Sequence, residues 1–417
     1  MNGIDQVVQH APTRAVTAGK PHFFGYYDKT PWNTDDTLLL GAEADFQDRP
    51  PTARDSLRLG IVDPVRTTFE PFAETRAWSW QQGAMLQWLP NGDVVFNDRD
   101  RDGIVRGVVL NLSTGARREL DRAVYAVSPT GRDAVSLNFH RIQTTRPGYG
   151  YPPAEALPPD RWAPDDDGIW RVDLDRGTTE LVLSLAELAA HDPDPRAHGA
   201  PNYINHAVYN TNGSRLCFFH IWNTPYWIYE HTLRWCTMAP DGRELAVLDP
   251  YSLASHFAWR DDHEIIGWAF WAHDNRQPLS PNERWYEYTD PRGPVRGAYW
   301  LLDDRTGDAQ LVAPGILPHD GHMSWSPDRR WLLTDEYAIL PGNDGWTPLL
   351  LYDTSIGQRY EIGRFREPLD GELRCDLHAR WNRAGTQVCV DSAHDGTRQM
   401  YVVDVTDIVD PEDAKRI

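Results

Sequence analysis

Four histidines occupy one recurring place in this chain, and that recurrence limits the fold more than any other feature. His206, His256, His322 and His378 are each followed three residues later by an aromatic: Tyr209, Trp259, Trp325 and Trp381. A turn comes six to seven residues after each histidine, through Asn212 and Gly213, Asp262, Asp328, and Gly385. An apolar strand pattern follows each turn, entered at Leu216, Ile265, Trp331 and Val388. Neither a turn nor a strand requires a histidine, so the histidine marks something these units share.

The same register runs backwards without the histidine. Trp32, Trp88 and the turn at Pro129 to Gly131 place Lys29, Met85 and Val124 at the equivalent address, for seven anchors in all. The shortest interval, from Met85 to Val124, matches the roughly 40 residues of a four-stranded propeller blade, and the longer intervals are insertions. A second tight turn recurs after a third strand, at Gly115, Gly177, Gly242, Gly307 and Gly357. These marks predict an all-β chain: a seven-bladed β-propeller of four-stranded antiparallel blades, forming one domain over residues 1–417. The last unit lacks a fourth strand, so the N-terminal segment near Val7 or Val16 is expected to supply it and close the ring.

Strand direction then sorts the loops. The first-to-second and third-to-fourth strand turns share one face of a blade, and the other connections share the opposite face. The long segments, 42–56, 141–167, 184–205, 271–296 and 337–346, all belong to the second set. The histidine address begins the innermost strand on that same face. Long loops on a rigid scaffold are where function usually lies.

Composition narrows the partners. The 417 residues carry a formal net charge of −20, which disfavours nucleic acid and anionic membranes. An anionic substrate then needs arginines gathered locally. No apolar run is long enough to span a membrane, and the first residues lack a signal pattern, so the expectation is a cytoplasmic protein. Cys217 and Cys389 fall inside apolar strands and read as core residues among only four cysteines. No G-x-S-x-G, Walker, C-x-x-C or H-E-x-x-H pattern is present.

Candidate chemistry therefore rests on the histidines. Imidazoles from neighbouring blades around one funnel suit a divalent metal or acid/base work near neutral pH; the alternative is a ring of solvated histidines with structural roles only. His256, His322 and His378 are the candidate metal ligands. His206 and His220, on adjacent strands of one blade, are a candidate base/acid pair, with Tyr26 and Arg141 in support. Asp98, Asp335, Glu336 and Asp391 lie where second strands end, as turn caps or as carboxylates for hydrolysis. The Pro- and Tyr-rich stretch from Pro147 to Trp162 reads as a sugar-binding wall or a stiff surface loop.

The units Trp325–Leu333 and Trp381–Tyr401 resemble TolB-type propeller repeats. With histidine at the inner-strand start, the pattern is similar to the propeller polysaccharide lyases of the oligogalacturonate lyase and ulvan lyase type. That resemblance implies β-elimination on uronate-containing oligo- or polysaccharides. It implies a divalent metal (Mn, Zn or Ca) at a histidine cluster, and no organic cofactor. A glycoside hydrolase on the same propeller, or a non-catalytic propeller that binds a saccharide or a protein, are the other readings.

Overall fold

A computed structural model of the chain describes residues 6–193, 197, 199–223, 231–248, 254–271, 287–290, 293–340 and 342–410. Seven antiparallel sheets form the blades of a propeller. Blade one runs outward through His22–Phe23, Leu39–Glu43, Leu57–Asp63 and Thr68–Thr75. Blade four runs through Asn202–Tyr209, Leu216–Asn223, His231–Met238 and Ala246–Val247. Blade six holds Ser324–Trp325, Trp331–Asp335, Trp346–Asp353 and Gln358–Arg366.

The middle strands explain why the sequence reads as apolar runs rather than as alternation. Both faces of a blade pack on a neighbour, so successive residues are buried in opposite directions. Leu332 and Leu350 join Trp268 and Tyr299 of blade five. Leu333, Leu349 and Leu351 join Val390 and Tyr401 of blade seven. The outer strand of blade two is less covered, and all three residues of Arg117–Glu119 are exposed.

The ring closes as the sequence suggests, with one addition. Thr13–Ala15 pairs antiparallel with Gln399–Asp404 and becomes the fourth strand of blade seven. Gln6–Val8 pairs in parallel with Gln358–Arg366 at the edge of blade six, which sequence reasoning did not foresee. All four cysteines are buried, and no disulfide joins them.

The histidine address is a β-bulge. In blade four Asn205 faces Phe219 and Val208 faces Cys217, so His206 and Ala207 together oppose Phe218. In blade five Ser255 and His256 likewise oppose Trp268. In blade seven Arg380 pairs with Cys389 while the Asp391 amide bonds the Leu377 carbonyl, leaving His378 and Ala379 opposite Val390. Met85, His206 and His378 take φ values of 53°, 57° and 44° there. A bulge re-aims one side chain and ends regular pairing. Here it turns the histidine toward the axis.

Candidate active site

Blade one is built differently at its centre. Trp32 bridges to Leu39, but Glu43 pairs with His22, so the inner strand holds six more residues than a plain ladder would need. The extra chain loops inward and carries Tyr26 and Tyr27 among the histidines. The Tyr26 ring stacks on His206 at 4.7 Å, meets His378 edge-on at 4.7 Å and lies 6.1 Å from His322. Tyr27 lies 5.3 Å from His322 and 5.7 Å from His256, and its hydroxyl donates to the Phe257 carbonyl at 2.9 Å. Burial first, then neighbouring tyrosines, pushes the Tyr26 phenol well above the usual range, so it holds its proton.

His256, His322 and His378 form a row, with ring centroids 4.3 Å and 4.5 Å apart. Carboxylates orient two of them. His322 Nδ1 lies 3.0 Å from both Asp335 oxygens, and His256 Nδ1 lies 3.1 Å from Asp320, which also accepts from Ser255 at 2.6 Å. The Nε2 atoms of His322 and His378 are buried with no hydrogen-bond partner. His256 Nε2 lies 3.4 Å from the Tyr337 hydroxyl. Ligand atoms of His322, Asp376 and His378 all fall within 4.8 Å of one another. Two bare imidazole nitrogens and a carboxylate make a donor set that fits a divalent cation, and the carboxylate behind His322 is the outer support such ligands use.

Electrostatics divides the group. Burial, aided by the His322 and Arg380 charges, holds His378 well below the ordinary imidazole range. Burial opposes charge on His322 as well, but Asp335, Asp376 and Asp320 outweigh it and raise its pKa. Burial would raise Asp376, yet Arg374 and His322 bring it below the usual carboxylate range. His206 is lowered strongly by burial and then by Arg146, so it is neutral near pH 7.

The surroundings of His206 are polar. The Tyr26 hydroxyl lies 3.4 Å from its Nε2, and Arg146 Nη1 lies 3.5 Å from the same atom. Its backbone amide donates to the Tyr125 hydroxyl at 3.1 Å. Arg146 lies 3.8 Å over the Tyr149 ring, and Arg374 donates to the Tyr149 hydroxyl at 2.5 Å while holding Asp376 at 2.7 Å. No carboxylate among the described residues lies within ion-pair distance of Arg146. Its charge is therefore available to an incoming anion.

No family model matches the chain, and no curated protein matches it in sequence. Solved structures do match. An oligogalacturonate lyase from Vibrio parahaemolyticus aligns with a TM-score of 0.62 at 11% identity, over 95% of this chain and 94% of that one. An oligogalacturonate lyase in complex with manganese gives 0.62 at 12%, over 95% and 98%. This chain has the fold of those lyases. The propeller domain of the Trilobed protease from Pyrococcus furiosus follows at 0.52 and 9% identity, over 94% and 96%, so the scaffold is shared more widely than one chemistry.

Alongside the oligogalacturonate lyase fold, the residues picked out by sequence sort clearly. His206, His256, His322, His378 and Tyr26 meet at the axis. His220 does not join them. It pairs with Ile204 rather than His206, is fully buried, and spans Asn202 at 2.7 Å and Arg234 at 2.9 Å. Register explains the correction: even in the pairing of Val208 with Cys217, His206 would face Phe219 and His220 would face Asn205. Arg141 also lies apart: the helix Phe139–Thr145 buries it against Asp167 at 2.7 Å and the Asn202 and Arg161 carbonyls.

The carboxylates proposed for hydrolysis are each paired with another side chain. Asp98 binds Arg117, Asp335 binds His322, Glu336 binds Arg359 and Asp391 binds Arg380. In the tightest ligand group Asp376 stands where the sequence reading placed His256. Tyr337, Arg146 and Arg374 were missed as funnel residues. Only the spacing of Asp376 to His378, two residues apart at the inner-strand start, was a usable signal. Of the Pro- and Tyr-rich stretch, Tyr149 reaches the site, whereas Tyr151 is core, stacked on Phe139 at 4.3 Å.

Proposed function

We propose that this propeller is a metal-dependent lyase that cleaves uronate-containing oligosaccharides by β-elimination. The observation that carries the reading is the pairing of two bare, buried imidazole nitrogens and Asp376 with a neutral His206, a protonated Tyr26 and an unpaired Arg146. The reaction needs a carboxylate neutralised, a base for the proton on C5 and an acid for the oxygen leaving C4. Arg146 neutralises the uronate carboxylate. His206, uncharged and 3.4 Å from Tyr26, accepts the C5 proton, and the Tyr26 phenol supplies one to the leaving oxygen. His322, His378 and Asp376 would hold the divalent cation, with His256 beside them, and when bound it would supply positive charge to the uronate carboxylate. The likeness to a manganese-bound oligogalacturonate lyase supports manganese as the first ion to supply.

The test is ultraviolet absorbance of the 4,5-unsaturated uronate formed on cleavage. Pectin-, ulvan- and glucuronan-derived oligosaccharides should be offered with and without manganese. A rise that depends on the ion and is lost in His206→Ala supports the proposal. No rise with any of the three substrates overturns it.

A further inference from the structure

The inward loop of blade one is gripped by a buried ion pair of blade seven, and we infer that Arg380 and Asp391 are positioning residues that set Tyr26 against His206. Arg380 and Asp391 are both buried, and Arg380 Nη2 lies 3.0 Å from Asp391 Oδ2. Asp391 accepts the backbone amides of Phe24 at 3.2 Å and Gly25 at 3.3 Å. Arg380 Nε donates to the Tyr26 carbonyl at 3.2 Å, and its Nη2 donates to the Gly25 carbonyl. Three successive residues are thus held through their backbone by one pair from another blade. Among the described residues, no other side chain bonds the main chain of Tyr26.

The loop needs such a grip. Its six surplus residues have no ladder partner, and a buried backbone group without a partner is costly. Gly25 sits at φ 134°, where a Cβ would lie 3.1 Å from the Gln82 backbone, so the conformation is held by its surroundings. Asp391 also stands at the repeat address that Asp335 occupies in blade six. Asp335 supports a histidine of its own blade; Asp391, through Arg380, supports a tyrosine of the next.

His206 reports on this independently. It belongs to blade four, contacts neither Arg380 nor Asp391, and stacks on Tyr26 at 4.7 Å. Its signal should move when Tyr26 moves. With ring-labelled histidine, Tyr26→Leu gives the shift produced by losing the ring current. Asp391→Asn and Arg380→Lys should displace the His206 signal in that same direction, as should Gly25→Ala, which strains the gripped residue with the pair intact. If one variant fails to fold, the others carry the test. A His206 signal left at its wild-type position in folded Asp391→Asn and Arg380→Lys overturns the inference.

The catalytic importance of this placement rests on the lyase reading above. In an active enzyme, both pair variants should lose at least tenfold in kcat with KM little changed. An inactive wild type would remove the lyase reading, while the His206 shift would still decide whether the pair positions Tyr26.

Discussion

At His206, His256 and His378 the inner strand carries one residue more than its partner, and that surplus residue is the one aimed at the axis. A left-handed backbone at a histidine is unfavourable in isolation, and such strain persists only where the fold imposes it. The recurrence of the address was readable from sequence because a repeat fixes where the strand begins. Its purpose was not, since a bulge leaves no mark in the apolar pattern. Removal of His378 (His378→Ala) should abolish stoichiometric manganese uptake, read by titration of the metal-free protein. Asp335→Asn, which loosens His322, should weaken it by about 10- to 100-fold. A residue outside the ring gives the pH dependence. Glu367 is pushed up to about 7, by burial first and then by Asp376, against backbone amides that favour its charge. The folded state therefore binds more protons than the unfolded one between the ordinary glutamate range and pH 7. Stability should fall as pH rises through that window, by about 3 kcal/mol, and level off above it. Urea midpoints measured from pH 5 to 8 check this, and Glu367→Gln should flatten the profile.

Among the elements, strands and tight turns were legible and the inserts were not. Gly and Asp turns fix hairpins through local backbone chemistry, so they show in any short window. The segment between Leu137 and Asp167 instead takes its shape from distant partners. Asn138 caps its helix, Arg141 fastens it to Asp167, and Tyr149 reaches Arg374 across the funnel. The last contact joins the blade-three insert to the loop before blade seven and roofs the histidines, none of which is more than 7% exposed. Arg374→Ala should loosen it and speed the reaction of the buried histidines with diethyl pyrocarbonate, followed by absorbance. An unchanged rate would show that the roof is held elsewhere.

For the whole molecule, ring closure was expected from the missing fourth strand of blade seven, and Thr13–Ala15 supplies it. The parallel strand Gln6–Val8 had no such signal, because blade six already had four strands. Deleting residues 1–9 should therefore change the urea midpoint little. Deleting 1–17 should lower it clearly: blade seven gains an open edge, and the loss of the buried Val16 alone is worth about 1.5–3 kcal/mol. The net charge of −20 also takes on meaning at this scale. On the lyase reading a strongly acidic body repels its acidic substrate, so attraction must come from Arg146, which has no ion-pair partner among the described residues, and binding should tighten with added salt until that contact is itself screened.

The closing strand Thr13–Ala15 and the segment Phe24 to Tyr26 that follows it both depend on residues 380–404. The junction therefore joins parts of the chain that are far apart, Phe24 and Asp391 by 367 residues. One seam thus does two jobs, since the hairpin that receives the closing strand also carries the pair that holds Tyr26 by its backbone. Damage to that hairpin would open the ring and release the tyrosine together, while the other blades keep their own ladders.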